Sequence, residues 1–480
     1  MIASIINDPF LEYPGPEDFF SPHEKFPEYP FSILSQKKNL VYSAVRTIFA
    51  QAGLDLPHFN TPTWNPLGKY VAKGDKVFLL CNFVYHKRRF ETQSNFFAKC
   101  THASALRALI DYVYIAAGQE GRICFGNSPL QSCDFQKVLE DTGAAGLPGF
   151  YQSNGIKVTA KDLRLIANRR SVVGNILSYE NRDEKDAFIV SLYEKSLLNE
   201  LYADREEIPF RVSDYNPERM QKFHRFNDHK YIIHKEILDS DVILSVPKLK
   251  THEMVGLTVG LKGFVGTVGH KDCLAHHRFG PPKLNGDEFP DNGNLQILAS
   301  KLHDFVQKRY YPKSLSPILE IIDKNLRRFL RKALKQIQAG AWYGNDTAWR
   351  MALDLANIIQ FADKNGELQC TYQRKNLVFI DGVIAGERNG PLSPQNAAGK
   401  CLIFSDNIVL GDVIACKAMG WDAQKIPLIR FSIAKECPFR SDQKREITCI
   451  LNGKLTDFET IQPVLGRKFI PPEGWEILFL

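Results

Sequence analysis

The sequence predicts an α/β fold: a mostly parallel sheet with helical crossovers. Two observations carry this. Continuous apolar runs of strand length recur at 76–84, 122–125, 241–246, 376–381 and 400–405, the pattern of strands buried on both faces. Stretches with apolar residues at helical spacing lie between and after them, as βαβ units require.

The elements follow in order. Lys76 to Val84 is the first buried strand. His102 to Gly118 reads as a helix through Leu106, Leu109, Ile110, Val113 and Ile115. Arg122 to Phe125 is a short strand ending in Gly126-Asn-Ser-Pro129. Phe135 to Thr142 is a helix closed by Gly143. Residues 150–235 are more polar and show no clear period. Asp241 to Val246 is a strand stopped by Pro247, and 294–363 reads as helical. Asn376 to Asp381 and Lys400 to Ser405 are strands, and Ile408 to Met419 is a helix ending at Gly420. The first 70 residues, with Pro9, Pro14, Pro16, Pro22, Pro27 and Pro30, read as an irregular arm packed on the body. The chain thus divides into an arm (1–70), a first α/β unit (71–280), a helical insertion (281–370) and a C-terminal α/β unit (371–480). Whether the units form two lobes stays open.

The 480 residues are 44% hydrophobic and 24% charged, which excludes a disordered chain, a coiled coil, a collagen and a disulfide miniprotein. No run approaches the ~18 apolar residues of a membrane span. Met1 to Asp8 lacks the basic start of a signal peptide, so a soluble cytoplasmic protein is expected. The net charge of +7, from 61 basic and 54 acidic residues, is mild. It permits anionic partners without implying nucleic acid. None of the ten cysteines forms a Cys-x-x-Cys pair, so neither a zinc ribbon nor a ferredoxin cluster is written locally. Buried reduced thiols are expected.

Ligands of open parallel sheets bind beyond the carboxyl ends of strands. Those ends here carry Asn82, Asn127 with Ser128, Lys248 with His252, and Asp381. The densest polar stretch is Ser245-Val-Pro-Lys-Leu-Lys-Thr-His252 and its continuation to His277. It holds four of the twelve histidines and glycines at 256, 260, 263, 266 and 269. Gly-rich backbone can aim several N–H groups at one anion, and Lys248, Lys250 and Lys262 add charge. No Walker A spacing is present. His252, His270, His276 and His277 have the chemistry of metal ligands, although adjacent histidines on extended backbone face opposite ways. The same glycines equally suit close helix packing, and the histidines a solvated loop.

Pro-Lys-Leu-Lys-Thr-His252 and Gly256-Leu-Thr-Val-Gly-Leu-Lys262-Gly-Phe-Val-Gly266 resemble the signature of the prokaryotic family called domain of unknown function 362. The resemblance extends from about residue 70 to 430. It takes in Lys73 to Asn82, where Cys81 replaces a usual proline, and Gly126-Asn-Ser-Pro129, where Asn127 replaces an aspartate. Asp381 to Pro391 and Asp406 to Asp412 resemble its C-terminal block. The added ferredoxin-like module of many members is missing, which puts self-contained electron transfer in doubt. His252, Gly256, Gly260, Lys262 and His270 also stand in an order similar to the nickel-pincer lactate racemase family, where a lysine tethers the cofactor.

The expected site therefore has His252, Lys262 and His270 as catalytic groups. Lys248, Lys250, Gly256, Gly260, Gly263, Asn82, Ser128, Arg388 and Asn389 would hold an anion. His252, His270, His276 and Glu387 would hold a metal, iron or nickel by the resemblance. Asp381 and Asp412 are either further carboxylates of the site or helix and turn caps. The expected activity is isomerase or redox chemistry on a small carboxylate or phosphorylated compound. The rivals are a non-catalytic metal- or cluster-holding maturation protein, and a membrane-peripheral protein using the basic amphipathic helix 318–337. The oligomeric state stays open.

Overall fold

The computed structural model describes residues 1–480 except 171–175, 203–204, 214, 292, 435–445 and 480. Cys437 lies outside the described residues. The other nine cysteines are unbridged, and all but Cys370 are buried.

Mostly apolar strands collect into one 12-stranded sheet. They are β1 (Ile2–Asn7), β2 (Lys76–Cys81), β3 (Arg122–Asn127), β4 (Val158–Asp162), β5 (Val242–Val246), β6 (Lys248–His252), β7 (Gly256–Thr258), β8 (Lys375–Glu387), β9 (Gln395–Ala397), β10 (Cys401–Ser405), β11 (Thr448–Leu451) and β12 (Lys454–Leu455). The centre, β8-β5-β2-β3-β4, is parallel throughout. The sheet is α/β as expected, but its other half is mixed. β10 returns antiparallel to β8, and the link between them is spent on β9, which also pairs antiparallel with the end of β8. The expected first and last α/β units thus share one sheet rather than forming two lobes.

Side chains alternate across the sheet. Val77, Leu79 and Cys81 of β2 pack on one face with α1 (Leu40–Gln51) and α3 (Ala103–Ala117). Phe78 and Leu80 pack on the other with α8 (Ala348–Phe361) and α9 (Ile408–Ala418). A short helix, α2 (Gln93–Lys99), precedes α3, and α4 (Phe135–Thr142) leads from β3 toward β4. α4 begins where Asp134 accepts from the Lys137 N–H and ends at Gly143 with φ +82°, matching its sequence signals. The helical insertion resolves into α6 (Asn294–Lys308), α7 (Ser316–Lys332) and α8; α5 is the short Gly260–Gly263 turn discussed below.

Two expectations need correction. The arm is not irregular throughout: Ile2–Asn7 is a sheet strand between β10 and β11, and Leu40–Gln51 is a helix capped by Asn39. β8 also outruns its expected end, continuing past Asp381 to Glu387. Gly382 and Gly386 allow this, since a Cβ would stand 2.6 Å from Cys401 Sγ at Gly382 and 2.9 Å from Lys250 Cβ at Gly386.

β3 reaches the rim through Gly126, whose φ is +147° and whose Cβ position lies 2.0 Å from the Lys161 carbonyl oxygen. Gly126→Ala is expected to cost about 3 kcal/mol or more, from backbone strain plus a clash with fixed backbone. The urea midpoint measures it, and an unchanged midpoint would contradict this pairing.

Candidate anion site at the carboxyl rim

Past Pro247 the chain re-enters the sheet as β6, pairing with β7 and β8. Strand alternation puts Lys248, Lys250 and His252 on one face, with Leu249 and Thr251 on the other. All five are buried. Thr258 stands opposite Lys250, and Gly256 opposite His252.

Lys248 is a structural cation. Its ammonium lies 3.1 Å from Asp381 Oδ2 and donates to Tyr13 Oη at 2.6 Å. Tyr13 donates to Asp381 Oδ1 at 2.5 Å, stacks on His102 at 3.9 Å, and the His102 N–H donates to Asp381 Oδ2. This buried knot pins the N-terminal segment to the sheet. Lys248 therefore serves an internal anion rather than a ligand.

Lys250, Lys262 and Lys271 differ from it. Lys250 donates to the Lys99 carbonyl at 2.7 Å, and Lys271 to the Ser128 carbonyl at 2.8 Å. Neither these two nor Lys262 forms an ion pair with a carboxylate among the described residues. Burial lowers the amines of Lys250 and Lys271 to about 7 and of Lys262 to about 8. The Lys262 charge presses further on Lys250, Lys271, His252 and His276, so these groups share one electrostatic neighbourhood.

The two histidines there are neutral and hold complementary tautomers. His252 Nδ1 accepts from the Met254 N–H at 3.1 Å, which leaves the proton on Nε2. His276 Nδ1 lies 3.0 Å from the Leu274 carbonyl, so it must carry the proton and leave Nε2 a lone pair. Burial, with the nearby lysines, holds His252 well below the usual imidazole range and His276 at about 3. His277 is lowered by burial and then by His276, Arg211 and His303, with none of these lysines among the causes. Its side chain thus faces away from the lysine set, as the neighbour of His276 should on extended backbone.

The rim supplies unmatched polar atoms. Asn82 Oδ1, Asn127 Oδ1, Ser128 Oγ, Ser245 Oγ and Thr258 Oγ1 are buried without a hydrogen-bond partner. Ser128 reaches the lysine segment directly, its N–H donating to the Gly266 carbonyl at 2.7 Å. Buried polar atoms are rarely left unmatched. Three of these adjoin the lysine segment: Thr258 stands opposite Lys250, Ser128 accepts from Lys271 through its carbonyl, and Asn127 lies against Gly266. Together with the lysines they mark a candidate ligand site.

The glycines play another part than expected. Asp412 of α9 accepts from the N–H groups of Gly260 and Leu261 at 2.8 and 3.0 Å. An internal carboxylate already fills the backbone cradle, at the start of α5. Burial raises Asp412 to about 7. Gly256, with φ +87°, turns the β6–β7 hairpin against Trp475 and Ile426, and Gly263 has open space beside it.

Other expected members lie elsewhere. His270 caps its own turn, accepting from the Asp272 N–H, 3.4 Å from the Asp272 carboxylate. Glu387 grips Arg467 through two 2.9 Å bonds and accepts from the Ile470 N–H. Asn389 accepts from the Glu473 N–H, and the Arg388 N–H donates to the Ile470 carbonyl. These three clasp the C-terminal tail. Of the four expected metal ligands only His252 and His276 are brought near one another, and among the described residues no three His, Cys, Asp or Glu side chains are placed to hold a metal ion. Of the lactate racemase pattern, Lys262 acts on His252 and not on His270. Lys271 was missed, because nothing in His270-Lys-Asp-Cys273 shows which side chain turns inward.

Residues 190–417 match the family model described as Domain of unknown function (DUF362). The chain carries a domain of this family. The match takes in β5 to β8 with all three uncompensated lysines, both tautomer-locked histidines and Asp412. Asn82 and Ser128 fall before it, so the rim is completed by strands outside the matched stretch. No curated protein matches the chain.

Proposed function

We propose that this DUF362 protein binds a small compound bearing more than one negative charge, a carboxylate or phosphorylated molecule, and acts on it by proton transfer. The observation that carries the reading is the set of Lys250, Lys262 and Lys271, buried in one neighbourhood, none of them in an ion pair with a carboxylate among the described residues and only Lys271 feeling one, Asp162, at longer range. A buried charge without a partner is costly, and a bound anion removes that cost.

A chemistry follows from the same groups. Bound anion raises the amines and imidazoles it faces. The Nε2 lone pair of His276 is then the base, the Nε2–H of His252 the acid, and the lysine ammoniums stabilise negative charge developing on a substrate oxygen. Fixed, opposite tautomers favour isomerisation of a carboxylate or phosphorylated compound.

The test is thermal unfolding with pyrophosphate and with citrate, against sodium chloride at equal ionic strength. Both polyanions are expected to stabilise the protein, by about 3 kcal/mol at a hundred times the dissociation constant. The gain should vanish in Lys262→Met. A response no larger than that to chloride would overturn the reading.

A further inference from the structure

α6 and α7 form a helical hairpin that packs inward through Ala299, Val306 and Leu330, each nearly fully buried. Two inward stripes would suffice to hold it. The hairpin nevertheless stays apolar on its outer side. In α7, Ile318, Ile322 and Phe329 are 57%, 49% and 50% exposed, and at ~100° per residue they fall within about 40° of one another. Leu298 and Phe305 of α6 are 60% and 45% exposed.

Charge identifies the occupant. Residues 316–335 hold six lysines and arginines against two acids. Both acids are engaged, Asp323 with Arg327 and His303, and Glu320 with Arg309. Arg328 and Lys332 are exposed beside the apolar stripe, and Lys335 follows them. A second copy would set this basic face against another molecule of net charge +7. No described helix is long and apolar enough to cross a membrane, so such a helix lies on a surface rather than through it.

We propose that the α6–α7 hairpin docks on an anionic lipid surface. Ile318, Ile322 and Phe329 enter the headgroup layer, while Arg328, Lys332 and Lys335 face lipid phosphates. The inference rests on the exposed residues of the hairpin and uses none of the rim residues.

Co-sedimentation of the whole protein with vesicles tests it. Vesicles of phosphatidylcholine with phosphatidylserine are compared with phosphatidylcholine alone. Pelleting is expected only with the anionic vesicles and should fall with added salt. Each basic residue contributes about fivefold to partitioning, so Arg328→Gln with Lys332→Gln should weaken it about 25-fold. Ile318→Ser with Phe329→Ser, also on exposed positions, should abolish it. Equal pelleting with both vesicle types, no pelleting, or indifference to both variant pairs would overturn the proposal. So would a stable dimer in light scattering that the Ile318→Ser/Phe329→Ser pair dissociates, which would assign the face to a second copy.

Discussion

Lys262→Met is expected to stabilise the ligand-free protein while removing its response to polyanions. The amine sits at about 8 in the folded chain against an ordinary 10.5. Below pH 8 it is charged in both folded and unfolded states, and burying that charge opposes folding by about 3 kcal/mol. Between pH 8 and 10.5 the unfolded chain holds a proton that the folded chain has released. Stability therefore rises with pH across that window. Methionine keeps an unbranched chain of similar reach without the charge, so the variant should gain up to about 3 kcal/mol at pH 7 and lose this part of the alkaline rise. Urea unfolding at pH 7 and pH 10 measures both. A variant less stable than wild type at pH 7 would show that Lys262 has a compensating partner.

Asp381→Asn should do the opposite. Lys248 and Asp381 are both fully buried, and removing one member of such a pair costs about 3–5 kcal/mol. Tyr13 loses the charge on its acceptor as well, loosening the N-terminal segment that it anchors. Burial already lowers the Lys248 amine, and Asp381 is the first of the groups that raise it again. Without Asp381 the amine falls further, so the deficit should shrink in alkaline solution as Lys248 sheds its proton. Urea midpoints at neutral and alkaline pH decide this. A neutral substitution at pH 7 would mean that Lys248 belongs with the uncompensated lysines.

The two variants separate lysines that look alike in sequence. Lys248 and Lys250 stand two residues apart in one motif, yet one neutralises an internal carboxylate and the other has no carboxylate partner among the described residues. Which buried group each would meet was the missing information. A strand reading Lys-Leu-Lys-Thr-His resembles a half-exposed edge, because lysine is almost never buried. The parallel centre was legible, since β2, β5 and β8 are apolar on both faces. α4 was legible to the residue because Asp134 and Gly143 are local caps. β1 was not: its partners β10 and β11 lie some 400 residues away, and nearby prolines masked it. For the same reason Asp412 reads in sequence as a possible member of the site, whereas it caps a turn 152 residues earlier. Of the glycines expected to cradle an anion, only Gly260 donates its N–H to a carboxylate, beside that of Leu261, and the carboxylate is the internal Asp412.

The most direct test of the central claim is the proton count on anion binding. Titration calorimetry of pyrophosphate at pH 8, in buffers of different ionisation enthalpy, measures it. At that pH Lys250 and Lys271 are largely neutral and Lys262 is near half-charged. A bound polyanion raises all three, so uptake of on the order of one to two protons is predicted, falling in Lys262→Met. Binding with no proton uptake would contradict the account, because the anion would then be held by groups already charged, away from the buried lysines.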